Sequence, residues 1–528
     1  MKFLVAVVTL LIALSGAAWF ALGPYMFSGL AAPLTGNTDI SSWQQTQAVT
    51  TPLGPVVGLE HDKGVAFLGL PYAKPPVESL RFMPPVAIEP WQETFSATKF
   101  PNRCMQNDLA PIIIEPNSFE MSEDCLYLNI YTSLTDSKER TVMFWIHGGA
   151  FTAGTGNGYV GTQLAAQGDV VVVSINYRLG LMGFLDLSGY GEAYAGSASN
   201  GIRDQIQALR WVRDNIRAYG GDPENVTIFG ESAGATSVTS IIAAPSANGL
   251  YHRAIVHSGV PVFAPPVDFR DQLAGILGIQ KDQLVSTLEV MSTTEISDLL
   301  SNNLQGQFGG TIDGAVVTRS NYQAIQESTV PIIVGSNKNE GTLFTLLTPA
   351  LAHGIIGPTI GELVAGKELV DAYLSSLKED YPDDSAREHY ERIWYELFRY
   401  NAVKVGEHAS ISGDGAWVYR FDFPAQVNPT GMTLGASHAM EIPFTFNMFA
   451  GADVAYYDRN DPAVQKLATN WSNTVIQFAR TGDPNGAGLP QWNRYTSESR
   501  NTLVLNAIPK LLGDFDQKDR ERWQAVGL

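Results

Sequence analysis

The segment Gly230-Glu231-Ser232-Ala233-Gly234 follows the apolar run Val226-Thr227-Ile228-Phe229 and precedes a helix-compatible stretch from Ala235 to Ala244. That context reads as a strand, a sharp turn and a helix. A serine at the tip of such a turn presents its hydroxyl to open space, and small neighbours are needed because the strained backbone leaves no room for larger ones. The chemistry that follows is nucleophilic attack on a carbonyl. The bare Gly-x-Ser-x-Gly pattern also occurs by chance, so its weight comes from its partners.

One partner lies upstream, where Thr141 to Ile146 reads as a buried strand running into His147-Gly148-Gly149-Ala150-Phe151. Paired glycines after a strand expose backbone amides, and fixed N–H groups aimed at a developing oxyanion each contribute roughly 3 to 4 kcal/mol. Gly148 and Gly149 are the expected donors, joined by Ala233, the residue after the nucleophile. Standing alone, His-Gly-Gly is an ordinary tight turn.

A serine also needs a base. In the chain order nucleophile, acid, histidine, the base must follow Ser232. His252 and His257 fall too soon, within the strand-like run Tyr251 to His257. His353 lies in a Gly- and Pro-punctuated segment. His389 and His408 sit on a stretch with helical periodicity, whose buried face is marked by Tyr390, Ile393, Trp394 and Leu397. His438 follows the strand-like Trp417 to Phe423 and a loop from Pro424 to Ser437, the expected place for the base. The orienting acid is sought after the strand Val330 to Gly335, where Glu340 is the favoured carboxylate. Asp383 and Asp384 lie in a charged, exposed-looking run, and Asp422 is on a strand rather than beyond one.

The elements that must position these residues form an α/β pattern. The stretch Asn200 to Ala218 carries Ile202, Ile206, Leu209, Val212 and Ile216 on one stripe before the Gly220-Gly221 stop, as for a helix covering a sheet. With 45% hydrophobic residues, 50 glycines and 29 prolines in 528 residues, the chain suits a sheet with many strand-to-helix turns. No linker or repeat divides it, so residues 33–528 are expected to form one catalytic domain.

Further motifs extend the pattern: Phe67 to Ala73 with Leu80-Arg81-Phe82, Ser122-Glu123-Asp124-Cys125-Leu126-Tyr127-Leu128-Asn129, Asn176-Tyr177-Arg178, Asp204-Gln205, Gly220-Gly221-Asp222-Pro223, Ser258-Gly259, and His438 with Glu441 behind it. Together these resemble the type-B carboxylesterase family, the carboxylesterase and cholinesterase branch of the α/β-hydrolases. The resemblance runs from about residue 50 to Trp492. It implies an α/β-hydrolase fold with a mostly parallel twisted sheet covered by helices on both faces, a Ser232-Glu340-His438 triad and oxyanion donors at Gly148, Gly149 and Ala233. It also implies Ser258 as support for the acid and Glu231 as a carboxylate near the histidine. Arg81 with Glu123, and Arg178 with Asp204, match pairs that look structural in the family. A Cys104–Cys125 disulfide is implied in the same way, and with it an oxidising compartment; two buried thiols in a reducing one are the other reading.

In choline-ester hydrolases a tryptophan of the loop between these cysteines binds the ammonium group. Here that loop has Phe119 as its only aromatic and an apolar run from Ala110 to Ile114, which favours neutral esters. The expected activity is hydrolysis of short- to medium-chain or aryl esters through an acyl-enzyme. A lipase acting on long-chain acylglycerols and a non-catalytic binding or adhesion protein on the same fold are the alternatives. Leu343 to Leu347 and Phe444 to Phe449 read either as an acyl pocket or lid, or as core.

No cofactor or metal is called for, since no His-Glu-x-x-His, Cys-x-x-Cys or phosphate loop occurs. The partner is a small-molecule ester, and oligomeric state is not legible. A net charge of −19 disfavours nucleic acid and anionic membrane surfaces. Residues 1–32 read as a signal peptide or an uncleaved membrane anchor, because Phe3 to Leu22 is apolar and no charge follows Lys2 until Asp39. The catalytic part is expected to be exported, to the periplasm or the extracellular medium, or tethered by that segment.

Overall fold

The computed structural model describes residues 39–527 apart from 107–118, 134–135, 137, 261, 263–264, 267, 297–298, 300–308, 348–366, 412–414, 427–432, 451–453 and 455. The expected leader, His353 and the apolar run Ala110 to Ile114 lie outside the described residues. Among the described residues no helix is long and apolar enough to cross a membrane.

A twelve-stranded sheet organises the chain: β1 (Gln44–Gln45), β2 (Leu59–His61), β3 (Gly64–Pro71), β4 (Tyr127–Thr132), β5 (Arg140–Ile146), β6 (Val171–Ile175), β7 (Gly221–Glu231), β8 (Arg253–His257), β9 (Ile332–Asn337), β10 (Ala416–Phe421), β11 (Thr502–Leu505) and β12 (Lys510–Leu512). The spatial order is β1-β2-β3-β4-β6-β5-β7-β8-β9-β10-β11-β12. From β6 to β11 every pairing is parallel, with antiparallel strands at both edges. The central strands are continuous apolar runs because helices cover both faces.

Side-chain alternation along β5 separates two apolar cores. Val142, Phe144 and Ile146 pack with Ile202, Ile206, Leu209 and Val212 of helix α1 (Asn200–Asn215), and with Ala235 and Val238 of α2 (Ala233–Ile242). Met143 and Trp145 pack instead with Trp471 and Val475 of the long helix Pro462–Thr481. Each fully buried large apolar side chain contributes about 1.5 to 3 kcal/mol. Phe444, Phe446, Met448 and Phe449 belong to this second core, so that region is packing rather than pocket.

The expected helix to Ala218 is α-helical only to Asn215. Ile216–Tyr219 tighten into a 3-10 turn, and Gly220 stops it at φ 80°. The helix Ala386–Ile411 departs further from expectation. Tyr390 and Phe398 are buried, but Ile393, Trp394 and Leu397 are only half-buried. The cause is that this helix turns charged residues inward: Arg399 pairs with Asp516, and Glu396 accepts from Arg522 at 2.7 Å and from Trp523 Nε1 at 2.8 Å. A stripe drawn through apolar residues alone is rotated away from these paired charges.

Two buried ion pairs brace the segments beside the sheet, one between loops and one from a loop to α1. Arg81 binds Glu123 at 2.6 and 2.8 Å, and Arg178 binds Asp204 at 2.7 and 2.8 Å while its backbone N–H also donates to Asp204. Removing one partner of a buried pair leaves an uncompensated charge, so Asp204→Asn is expected to lower stability by about 3 to 5 kcal/mol. Chemical denaturation of the variant beside wild type measures this, and a loss below about 1 kcal/mol would show that the pair behaves as a surface one.

Candidate active site

Ser232 follows β7 and caps α2 with φ 58° and ψ −122°, a conformation that costs a non-glycine residue about 1 to 3 kcal/mol. It is half-buried between the buried Glu231 and Ala233. The glycines of the motif are needed for close approach: a Cβ on Gly234 would lie 2.0 Å from the Ile146 carbonyl oxygen, and one on Gly230 2.6 Å from the Gly234 backbone. The Ser232 amide donates to the His257 carbonyl at 2.9 Å, which fastens the turn to the end of β8.

The other residues of the site arise at the ends of neighbouring parallel strands, where open α/β sheets place their ligands. Beyond β9, the segment from Lys338 leads to Glu340 at the start of helix α3 (Gly341–Leu347). Beyond β10, a loop leads to His438. The fully buried Glu340 carboxylate accepts from Ser258 Oγ at 2.6 Å and the Asn337 amide at 2.7 Å through one oxygen, and from His438 Nδ1 at 2.6 Å through the other. Asn339 and Ser437 pair as a parallel bridge, and Thr342 Oγ1 lies 2.8 Å from Ser437 Oγ, so the acid and histidine loops are stitched together. With Glu340 on Nδ1–H, the neutral form of the ring carries its lone pair on Nε2.

Glu231 Oε1 lies 3.0 Å from His438 Nε2. Burial pushes the Glu231 carboxyl up to about 8 against the pull of His438, with Glu441 and Glu340 repelling its charge. Glu441, which accepts from Asn337 Nδ2 at 2.5 Å, is lifted to about 7 by burial and by Glu340. For His438, burial works downward, but the carboxylates of Glu231, Glu340 and Glu441 outweigh it and raise the imidazole to about 9. A protonated Glu231 no longer stabilises a proton on Nε2, which makes the state of Glu231 decisive for the free imidazole.

Gly148 packs on the same turn: a Cβ there would sit 2.8 Å from Glu231 Oε2 and 3.0 Å from Ser232 Cβ. Among the described residues the amides of Gly148, Gly149 and Ala233 have no protein acceptor. The rival groups are occupied elsewhere. His257 is buried with Nδ1 2.6 Å from Tyr419 Oη and is held near 3 by burial, and His252 Nδ1 accepts from the Val226 amide. His389 faces the Tyr381 carbonyl, His408 stacks on Tyr322, and Asp422 pairs with Arg420. Asp383 is exposed and Asp384 pairs with Arg392.

Two aromatic residues at this centre, Trp394 and Phe398, were not assigned to it from sequence, whereas Phe344 falls in the stretch Leu343 to Leu347 read as acyl pocket, lid or core. Phe398 and Phe344 place their ring centroids 4.6 and 5.2 Å from the His438 ring, and Trp394 stacks on Phe344 at 4.0 Å. The four-residue spacing of Trp394 and Phe398 is the signal that was available. Cys104 and Cys125 form a disulfide, with Cα atoms 4.9 Å apart.

This sheet, with a serine turn, an acid and a histidine at adjoining strand ends, defines an α/β-hydrolase. The chain belongs to the carboxylesterase family: the model of that family matches residues 45–523. It is 34% identical to a para-nitrobenzyl esterase of Bacillus subtilis, over 90% of this chain and 98% of the relative, and 34% identical to a cocaine esterase of Homo sapiens, over 87% and 88%. A solved Geobacillus stearothermophilus carboxylesterase superposes with a TM-score of 0.79 at 35% identity, covering 91% of this chain and all of that one. The protein is accordingly a carboxylic ester hydrolase.

Replacing Glu231 by Gln removes a carboxylate that stabilises the imidazolium, so the His438 pKa falls. A general base works from its neutral form, so with His438 in that role the acid limb of kcat/KM is expected to move to lower pH, by about one unit. A pH profile of ester hydrolysis checks this; an unmoved or upward-shifted limb contradicts it.

Proposed function

We propose that Ser232 attacks the ester carbonyl, that His438 takes its proton and returns it to the leaving alcohol, and that Glu340 fixes the imidazole tautomer and stabilises the imidazolium. The amides of Gly148, Gly149 and Ala233 receive the oxyanion. Water activated by the same imidazole then releases the acid from the acyl-enzyme. Ser258 acts by holding Glu340. The single observation that carries this reading is the Glu340 carboxylate, with two donors on one oxygen and His438 Nδ1 on the other, beside a strained and half-exposed serine.

The substrates are neutral short- to medium-chain or aryl esters. Supporting this are the aromatic rings of Phe344 and Phe398 beside His438 and the Bacillus relative's name, which specifies a nitrobenzyl ester. We assign residues 33–528 to one catalytic domain and residues 1–32 to an export signal or membrane anchor, with the enzyme acting in the periplasm, outside the cell or tethered at the membrane. The Cys104–Cys125 disulfide favours an oxidising compartment.

Hydrolysis of p-nitrophenyl acetate, butyrate and octanoate by wild type and Ser232→Ala tests the mechanism. The variant is expected to lose about 10³-fold or more in kcat, with wild type preferring the shorter acyl chains. Equal rates in two folded proteins would remove Ser232 from the chemistry. A preference for octanoate that extends to triacylglycerol emulsions would shift the substrate class to lipids.

A further inference from the structure

We propose that Gln106 is a positioning residue whose side-chain amide sets the orientation of the peptide between Gly148 and Gly149, and that the Cys104–Cys125 disulfide is its anchor. This rests on the reading of Gly148 and Gly149 as oxyanion donors.

The Gln106 side chain is 5% exposed and is committed to backbone. Its Oε1 accepts from the Gly154 amide at 2.9 Å, and its Nε2 donates to the Gly154 carbonyl at 2.9 Å and the Cys104 carbonyl at 3.0 Å. The amide thus grips both polar groups of one residue, as a neighbouring strand would, while leaning on the cystine. Cys104 is fixed in turn by its disulfide and by the short parallel pairing of Arg103–Cys104 with Met121–Ser122.

Gly154 transmits that grip. Its backbone, at φ 117°, lies so close to the glycine pair that a Cβ there would sit 2.3 Å from His147 Nδ1 and 2.5 Å from the Gly148 carbonyl oxygen. That oxygen also lies 2.8 Å from His147 Nδ1, and His147 is held from behind by stacking on Tyr177, whose hydroxyl donates to the His147 carbonyl. The Gly148 carbonyl and the Gly149 amide are the two ends of one planar trans peptide, so fixing the carbonyl toward His147 and Gly154 aims the N–H the other way. The loop does not hold this shape by its own preference. Gly149, Ala150 and Phe151 have φ of 108°, 53° and 58°, and such a run persists only when its surroundings over-determine it. The internal turn bonds from Thr152 and Ala153 to the Gly149 carbonyl close the loop, and Gln106 clamps its end.

The test compares wild type with Gln106→Glu, which keeps the acceptor and loses the donor, and Gln106→Met, which keeps the shape and loses both. Active sites are counted with a fluorophosphonate so that kcat is per reactive serine. We expect kcat on p-nitrophenyl butyrate to fall about 10- to 100-fold with KM within about twofold. Affinity for a trifluoromethyl ketone, which binds as an oxyanion adduct, should fall in parallel, while affinity for the parent methyl ketone stays constant. Cys104→Ser with Cys125→Ser should reproduce the pattern in weaker form. The proposal is overturned if kcat per site and trifluoromethyl ketone affinity stay within about twofold of wild type, or if activity falls only with the number of reactive sites. A wild type whose hydrolysis survives Ser232→Ala would instead overturn the nucleophile reading.

Discussion

The hydrogen bond from the Ser232 amide to the His257 carbonyl joins two strand ends that everything else at the centre depends on. Ser232 stands in a left-handed conformation that an isolated turn would relax, and so does Ser258, at φ 54°, one residue past that carbonyl. The strain is sustained because β7 and β8 pair in parallel up to Glu231 and His257, so neither chain can unwind without losing sheet hydrogen bonds. The same step then turns Ser258 Oγ toward Glu340. One backbone contact therefore sets Ser232 and, a residue later, the grip on Glu340.

Electrostatics at this centre follow from unequal hydrogen bonding among three buried carboxyls. Glu340 receives three donors, one of them the histidine itself. Glu231 and Glu441 are buried with fewer, and burial moves both toward the neutral form. Whatever negative charge the three carry favours a proton on His438 and outweighs the burial of its ring. Aromatic packing from Phe344 and Phe398 orients the ring while offering no competing acceptor.

The placement of Ser232, Glu340 and His438 just past strand ends was legible in sequence because a parallel sheet punctuates itself: each buried strand is a short apolar run, and the residues just past its end are loops with few alternatives. Chain order then left Glu340 and His438 with weak rivals. What stayed hidden depends on packing between elements far apart in sequence. The inward face of the helix carrying Trp394 and Phe398 is set by ion pairs to the C-terminal segment, which apolar periodicity does not register. Gln106 meets Gly154 across 48 positions through an amide that resembles any surface glutamine until its burial is known. The Asn337 amide, which completes the seat of Glu340, belongs to backbone and leaves no mark in side-chain type.

The acid and the histidine meet across 98 residues, and the strands beneath them are joined by crossovers that close long stretches of chain. Contacts of such separation form late, after much chain entropy has been lost. During synthesis the serine turn emerges first and remains without His438 until the segment beyond β10 has been made. On the proposed mechanism, ester turnover therefore reports a sheet assembled through β10.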